Sequence, residues 1–314
     1  MSDDIAYIEH AQDVLAKAVD LATKGERFAL VTSVDIKGGT ARELGSLALV
    51  AASGQMVGYL SNGCIDQDIR LNALASLDQG QRQIIHYGEG SPFPDLTLPC
   101  GGMLKVLLDP APDLRKLRAA YKDLKARRPA QLSFSTPSNA PLLTVQYMPK
   151  PKVTFAGRGA VFRAAVILAH ASGFEVTGLS PDEHDLEAVA MAGAARVSHL
   201  ASPQAASRLD LDPWSAFLTL FHDHSWEPDL LMAATRTPCR FIGALGSRRT
   251  HDARRQMLLS MGGTQREVDR IKGPVGLVSS LRSADLIAAS VIAELAAAFS
   301  RSQTVMKEPA VTAH

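Results

Sequence analysis

The stretch "KVTFAGRGAVFRAAVILAHASGFEVTGL", residues 152–179, decides how the second half of the chain folds. An apolar run ends at Gly157 and Gly159, a helix-forming run follows as far as Gly173, and a second apolar run closes the stretch. Strand, glycine turn, helix, strand is the sequence pattern of a βαβ unit. In such a unit the glycines let the backbone approach a phosphate, and the helix start supplies free N–H groups and positive potential. Two positions depart from the dinucleotide fingerprint. Phe162 stands where a small residue is expected, and the second strand ends in Ser180-Pro181, so that Asp182 arrives only after the proline. A bulky ring opposes close helix–strand packing, and the acid that would bind ribose hydroxyls is missing. The expectation is a Rossmann-like fold with a weakened dinucleotide signature.

Further along, "WSAFLTLF" (214–221) and "CRFIGAL" (239–245) read as short buried strands, with helical segments "DLLMAATR" and "ADLIAASVIAELAAAF" between or after them. Strands alternating with helices predict a parallel sheet covered on both faces. Ligands bind at the carboxyl ends of such strands. Three polar segments converge there: the Gly157–Gly159 turn, the His222-Asp223-His224 loop, and the Gly246-Ser247-Arg248-Arg249 loop. Ser247 or Thr250 caps the next helix, which sets Arg248 and Arg249 at its positive end, where cations are unfavourable. A bound phosphate resolves that conflict, because a guanidinium matches phosphate oxygens as a fork; the alternative is that both arginines pair with surface acids. His222 and His224 have no evident set of further metal ligands nearby, which leaves hydrogen-bonding or proton-handling roles, or plain solvation.

Working back from residue 152, "MPKPK" (148–152) is a linker, because its prolines stop both strand and helix. The reading is of two domains, 1–149 and 150–314, the first a mixed α+β domain and the second the Rossmann-like domain ending in a polar, frayed tail from Arg301. In the first domain, residues 4–24 carry a helical apolar stripe. "FALVTSVDI" is a strand, and "SLALVAASGQMVGYL" is two strands about a Ser53-Gly54 turn. A helix begins near Cys64, with Ser61 or Asn62 available as its cap. "QRQIIHY" and "MLKVLLD" are strands on either side of the loop "GEGSPFPDLTLPCGG"; a polar helix and two further strands complete the domain.

With a formal charge of +1, neither nucleic acid nor an anionic membrane surface is implied as a partner. The start "MSDDIAYIEHAQ" is acidic, unlike a secretory signal, and "LIAASVIAELAAAF" is too short and too polar to span a bilayer. Three cysteines at wide spacing, Cys64, Cys100 and Cys239, do not form a disulfide framework or a CxxC zinc site. A cytoplasmic protein with reduced thiols is expected. Cys239, leading into an apolar strand, reads as a small buried hydrophobe. Cys64, at a helix start, is open to two readings, packing or a reactive or ligand-holding thiol, and Cys100, before two glycines in a proline-rich loop, reads as a thiol near the surface or a ligand.

Several motifs in order carry a family resemblance covering about residues 28–300. "GTARELGSLALV" matches at Arg42 and Gly45, "GYLSNGCIDQDI" at Cys64, and "LPCGGMLKVLLDP" at Cys100, Gly101 and Gly102. "FHDHSWEPDL", "FIGALGSRRTHDARR" and "KGPVGLVSSLRSADLIAASVIAEL" follow in the second domain. The chain resembles the XdhC/CoxI-type proteins, accessory factors of xanthine dehydrogenase and related molybdenum hydroxylases. The resemblance implies a chaperone that binds molybdenum cofactor (molybdopterin) as cargo, holds it while the molybdenum gains a terminal sulfur, and inserts it into the apo-enzyme. It implies as partners the molybdenum subunit of the dehydrogenase, a cysteine desulfurase and a molybdenum cofactor synthesis protein, with a homodimer open. Such a chain is a maturation factor rather than a turnover catalyst.

The residues suit that cargo. Its phosphate suits the Gly157–Gly159 turn or Arg248 and Arg249, and a soft thiolate from Cys64 or Cys100 suits molybdenum or its sulfur. Gly101 and Gly102 allow close backbone approach; Arg42, His222 and His224 complete the candidate set. Rival readings are an NAD(P)-dependent oxidoreductase built on the glycine turn, a sulfurtransferase carrying a persulfide on Cys64, and a scaffold whose pockets are vestigial.

Overall fold

In a computed structural model the described residues are 4–39, 42–89, 101–206, 209–221, 225–300 and 303–307. They fall into two compact units, Met1–Pro149 with Arg301–His314, and Lys150–Ser300.

The first unit opens with β1 (Ile5–Ala6) and α1 (Ala11–Thr23). The apolar stripe predicts one helix from residue 4, but Ile5 and Ala6 pair with Met56 and Val57, and His10 caps the helix by accepting from the Gln12 amide. There follow β2 (Phe28–Lys37), β3 (Leu47–Ala51), β4 (Met56–Val57), α2 (Asp66–Gln79), β5 (Gln83–Gly88), β6 (Met103–Asp109), α3 (Leu114–Lys125), β7 (Ala130–Ser135) and β8 (Pro141–Tyr147). The main sheet has the order β1-β4-β3-β2-β6-β5. Side chains alternate along a strand, and β3 uses both faces. Leu47, Leu49 and Ala51 join a core with α1, α3, β7 and β8, while Ala48 and Val50 join a second core with α2.

The second unit contains β9 (Lys152–Gly157), α4 (Gly159–Ala171), β10 (Glu175–Ser180), α5 (Glu183–Met191), β11 (Arg196–His199), a 3-10 turn (Pro203–Ala206), β12 (Ser215–Leu220), α6 (Glu227–Thr235), β13 (Phe241–Ala244), α7 (Arg248–Ser260), α8 (Gln265–Val268), β14 (Ile271–Lys272) and α9 (Ala284–Ala298). All pairs in its sheet are parallel, in the order β11-β10-β9-β12-β13-β14. That is the doubly wound arrangement, whose strand order reverses between β9 and β12. Ala216, Leu218 and Leu220 of β12 pack with α4 and α9, while Phe217 packs with α6 and Leu258 of α7. The expected α+β part followed by a Rossmann-like parallel sheet is what forms. β11 and β14 are additions to it: the four residues of β11 are all exposed, and β14 is two residues long, so neither carries a buried-strand pattern.

Phe162 is fully buried, contrary to the expectation that its bulk opposes packing. It lies against Gly178 of β10, where a Cβ would come within 3.3 Å of the ring and 3.1 Å of Val189. The small residue has moved from the helix to the strand it covers.

The tail also differs from expectation. β15 (Gln303–Lys307) pairs antiparallel with β8, making the sheet β15-β8-β7 within the first unit. Its polar composition hides the strand, because β15 is an added edge strand rather than part of a buried layer.

Candidate functional site

In the first unit, strand register brings the segments carrying Arg42, Gly101 and Gly102 to one end of the main sheet. Lys37 and Gly88 both pair with Met103, and Leu49 pairs with Val57. The segments leaving the end of β2 and the end of β5 therefore share an end with the start of β6, whereas Val57 at the end of β4 lies, through Leu49, level with Leu30 and Asp109, well short of that end. The segment after β4 leads into α2, whose Asp68 accepts from Tyr87, the β5 residue paired with Leu104 near the start of β6. Arg42, Cys64, Gly101 and Gly102 lie on these segments. A Cβ on Gly38 would come within 3.3 Å of the Gly102 Cα, so the backbones after β2 and before β6 run close together. Cys100 lies outside the described residues.

Arg42 is buried. Its guanidinium donates to the Glu9 carbonyl at 2.6 Å, pairs with the Glu9 carboxylate at 2.9 Å, and stacks 4.7 Å over the Tyr59 ring. Tyr59 in turn meets Tyr7 at 5.4 Å. Its segment is also held from beneath by buried Tyr147, whose hydroxyl donates to the Gly45 carbonyl at 2.7 Å. Burial pushes the Tyr147 hydroxyl well above its ordinary pKa, so it is a donor throughout the usual range. Arg42 thus fastens the end of the sheet with its cationic head already engaged.

The Cys64 loop is organised by a residue that the motif reading did not single out. Asp66, with no exposed surface, accepts from the amides of Leu60 at 2.8 Å, Ser61 at 3.1 Å and Gly63 at 2.7 Å. A buried carboxylate needs such donors, and here one carboxylate winds the loop around itself. Asn62 is left with φ 55°, and Ser61 accepts from the Ile65 amide at 2.9 Å, so Ser61 closes the loop just before α2. The product is an exposed Cys64 on a fixed backbone. Further down α2, Asp68 accepts from the buried Tyr87 hydroxyl at 2.7 Å; burial, and then the Asp68 carboxylate, raise the Tyr87 pKa. Among the described residues no group of three or more His, Cys, Asp or Glu is arranged to hold a metal ion.

In the second unit the carboxyl ends of β9, β12 and β13 align, with Gly157 opposite Leu220 and Ala244 opposite Thr219. The Gly157 turn, the loop after β12 and the loop after β13 therefore share one edge, as the sequence predicts. Gly157 is needed for crowding, since a Cβ there would lie 2.9 Å from the Leu220 carbonyl oxygen. Gly159 is needed for conformation, with φ +77° and open space around it. Its amide, however, already has an acceptor: Asp185 Oδ2 at 2.7 Å. Asp182 caps α5 instead of reaching a ribose site, accepting from the amides of His184 and Asp185.

His222 and His224 lie outside the described residues; Phe221 and Trp226, on either side of them, stack at 5.9 Å. Arg248 and Arg249 open α7, whose N-cap Ser247 accepts from the Thr250 amide at 3.1 Å. Both arginines are exposed, and among the described residues neither forms an ion pair. Beneath them the buried Arg254 donates to Glu227 at 2.9 Å and to the Leu245 carbonyl at 2.6 Å, while Glu227 also accepts from Thr219 at 3.1 Å. This pair locks α7 and the Leu245 turn to α6 and β12. Cys239 is buried as expected; burial raises its thiol pKa to about 11, and its sulfur contacts the carbonyls of Ser215 and Phe241 at 3.1 Å. Asp66, Asp185 and the Glu227–Arg254 pair escape motif reading because their partners are backbone amides or residues distant in sequence.

Together these features define a two-unit protein: an α+β unit with an exposed thiol on the loop entering α2, and a doubly wound unit with a cationic helix start at its carboxyl edge. Residues 21–88 match the XdhC and CoxI family model, and residues 153–295 match the XdhC Rossmann domain. The chain is 32% identical over 297 residues to the molybdenum cofactor insertion chaperone PaoD of Escherichia coli, covering 90% of this chain and 87% of PaoD. It is 22% identical to the uncharacterized protein YqeB of the same organism, covering 90% of this chain and 46% of YqeB. A crystal structure described as a xanthine dehydrogenase from Bacillus halodurans superposes with a TM-score of 0.76 at 20% identity, over 93% of this chain and 96% of that one, which establishes the shared fold. The chain belongs to the XdhC and CoxI family. No helix among its described residues is long and apolar enough to cross a membrane.

Proposed function

We propose that this chain is a cytoplasmic molybdenum cofactor chaperone, which binds the molybdopterin-type cofactor, keeps it while the molybdenum acquires its terminal sulfur, and inserts it into a xanthine dehydrogenase-type hydroxylase. The observation that carries this is the 32% identity to PaoD across nine-tenths of the chain. It is supported by the exposed Cys64 on a loop fixed by Asp66.

A thiolate is a soft ligand that suits molybdenum or its sulfur. Cys64 is the first candidate for that contact and Cys100 the second, each meeting a metal that its own cofactor presents. Gly101 and Gly102 let the backbone come near the pterin, and Arg42 holds the loop beside them. In the second unit, Arg248 and Arg249 suit a phosphate, because they are unpaired cations at a helix start. His222 and His224 are candidates for hydrogen bonds to a polar ligand. The Gly157–Gly159 turn is the weaker phosphate candidate in this reading, because the Gly159 amide already donates to Asp185. Partners in this reading are the apo-hydroxylase molybdenum subunit, a cysteine desulfurase and the enzyme that completes the cofactor, with the chaperone as a monomer or homodimer.

The test is delivery. The purified chain is mixed with molybdenum cofactor, freed of excess, and added to an apo-hydroxylase. Hydroxylase activity above that obtained with the same amount of free cofactor is expected. Equal activity, or no cofactor carried through, counts against the proposal.

A further inference from the structure

The glycine turn after β9 has the backbone of a phosphate-binding turn, yet an anion already occupies it. Gly159 is the second glycine of the pair, the position where the backbone comes close to a dinucleotide's diphosphate in this fold, and its amide is the first of the helix start. That amide donates to Asp185 Oδ2 at 2.7 Å. Arg163, one turn further along α4, pairs with the other carboxylate oxygen of Asp185. Asp185 is only 2% exposed, so it lies inside the structure and does not swing in solvent. It arrives there because Asp182 caps α5 and turns the first turn of that helix back toward α4. The first turn of α4 has no acidic residue of its own to satisfy its positive end. Asp185 supplies that charge from the neighbouring helix.

We propose that Asp185 is a specificity-determining residue: its carboxylate fills the anion position of the Gly157–Gly159 turn and closes it to the diphosphate of nicotinamide and flavin dinucleotides. A second anion at Gly159 would meet the Asp185 carboxylate and find the Gly159 amide already taken. The closure is independent of the missing ribose acid at Ser180 and of Phe162. It goes beyond the chaperone reading and stands or falls separately from it.

The experiment uses the full chain, wild type and Asp185→Ala, with Asp185→Asn as the shape-conserving variant should the alanine variant fail to fold. Thermal midpoints are measured in chloride, phosphate and pyrophosphate at matched ionic strength, and binding of NADH and ADP is measured by calorimetry. Wild type is expected to show no dinucleotide binding at millimolar ligand and no midpoint change specific to phosphate. Removing the carboxylate is expected to lower the midpoint by about 5 °C in chloride. Phosphate or pyrophosphate then restores part of that loss by occupying the vacated position, and ADP binding becomes measurable. Micromolar NADH binding by wild type overturns the proposal. So does an Asp185 variant, Ala or Asn, whose midpoint responds to phosphate no more than wild type does.

Discussion

The ring of Phe162 on α4 packs where Gly178 on β10 has no side chain: a Cβ on that glycine would stand 3.3 Å from the ring. In this chain the close helix–strand approach of a doubly wound fold is reached with the large and small partners exchanged. Phe162→Ala empties a fully buried site and is expected to cost about 3–5 kcal/mol. Gly178→Val overpacks the same contact, at about 1–3 kcal/mol. The double variant Phe162→Ala with Gly178→Val is expected to lose less than the sum of the two. Denaturant unfolding of the four proteins measures this coupling, and strict additivity would show that the two residues do not share one space.

Asp66 makes a prediction in the first unit. Three backbone amides converge on its buried carboxylate. Asp66→Ala leaves all three without an acceptor and is expected to cost about 2–4 kcal/mol. The Cys64 alkylation rate, followed by peptide mapping, should change with it, because the loop that fixes the thiol is released. Cys239 should stay unlabelled in both proteins until they unfold, since it is buried with its pKa raised to about 11. A Cys64 rate identical to wild type in a stably folded Asp66→Ala protein would remove Asp66 from the positioning of the thiol.

A pH dependence follows from His251. Its ring packs against Gly273, and Nδ1 is buried with no hydrogen-bond partner among the described residues. Burial first, then the charges of Arg254 and Arg255, lower its pKa from 6.5, against a smaller opposing pull from Asp252. With a folded value below the unfolded one, the unfolded chain binds the proton more readily. The stability that neutral His251 contributes is therefore complete above 6.5 and is lost as the pH falls through 6.5 toward the lowered folded value. Midpoints measured between pH ~7.5 and ~5.5 should fall for wild type and fall less for His251→Asn. Equal slopes would contradict it.

The second unit was the more legible half, because buried parallel strands write themselves as continuous apolar runs between glycine punctuation, as at Val153–Gly157 and Ser215–Leu220. The pieces that escaped have weak local signals. β1 is two residues long and was absorbed into the apolar stripe of α1, and the four residues of β11 are all exposed. β15 is recognisable only through its pairing with β8, far away in sequence. The site divides in the same way. Cys64, Arg248 and Arg249 could be picked out by residue type and neighbours. The buried carboxylates that act on the two candidate loops could not, since Asp66 and Asp185 look like ordinary first-turn acids until the amides they accept from are known. Arg42 adds a second lesson: a cation that reads as ligand-binding also pairs with Glu9 and stacks on Tyr59, contacts that its motif does not announce.

Cys64, on the loop entering α2, is the residue proposed to take hold of a molybdenum cofactor. The most direct measurement is the molybdenum retained per chain after the purified protein is mixed with cofactor and desalted, for wild type, Cys64→Ala and Cys100→Ala. Retention by wild type and a clear loss in Cys64→Ala with the fold intact are expected. Retention unchanged in both cysteine variants, or absent in wild type, would contradict that role.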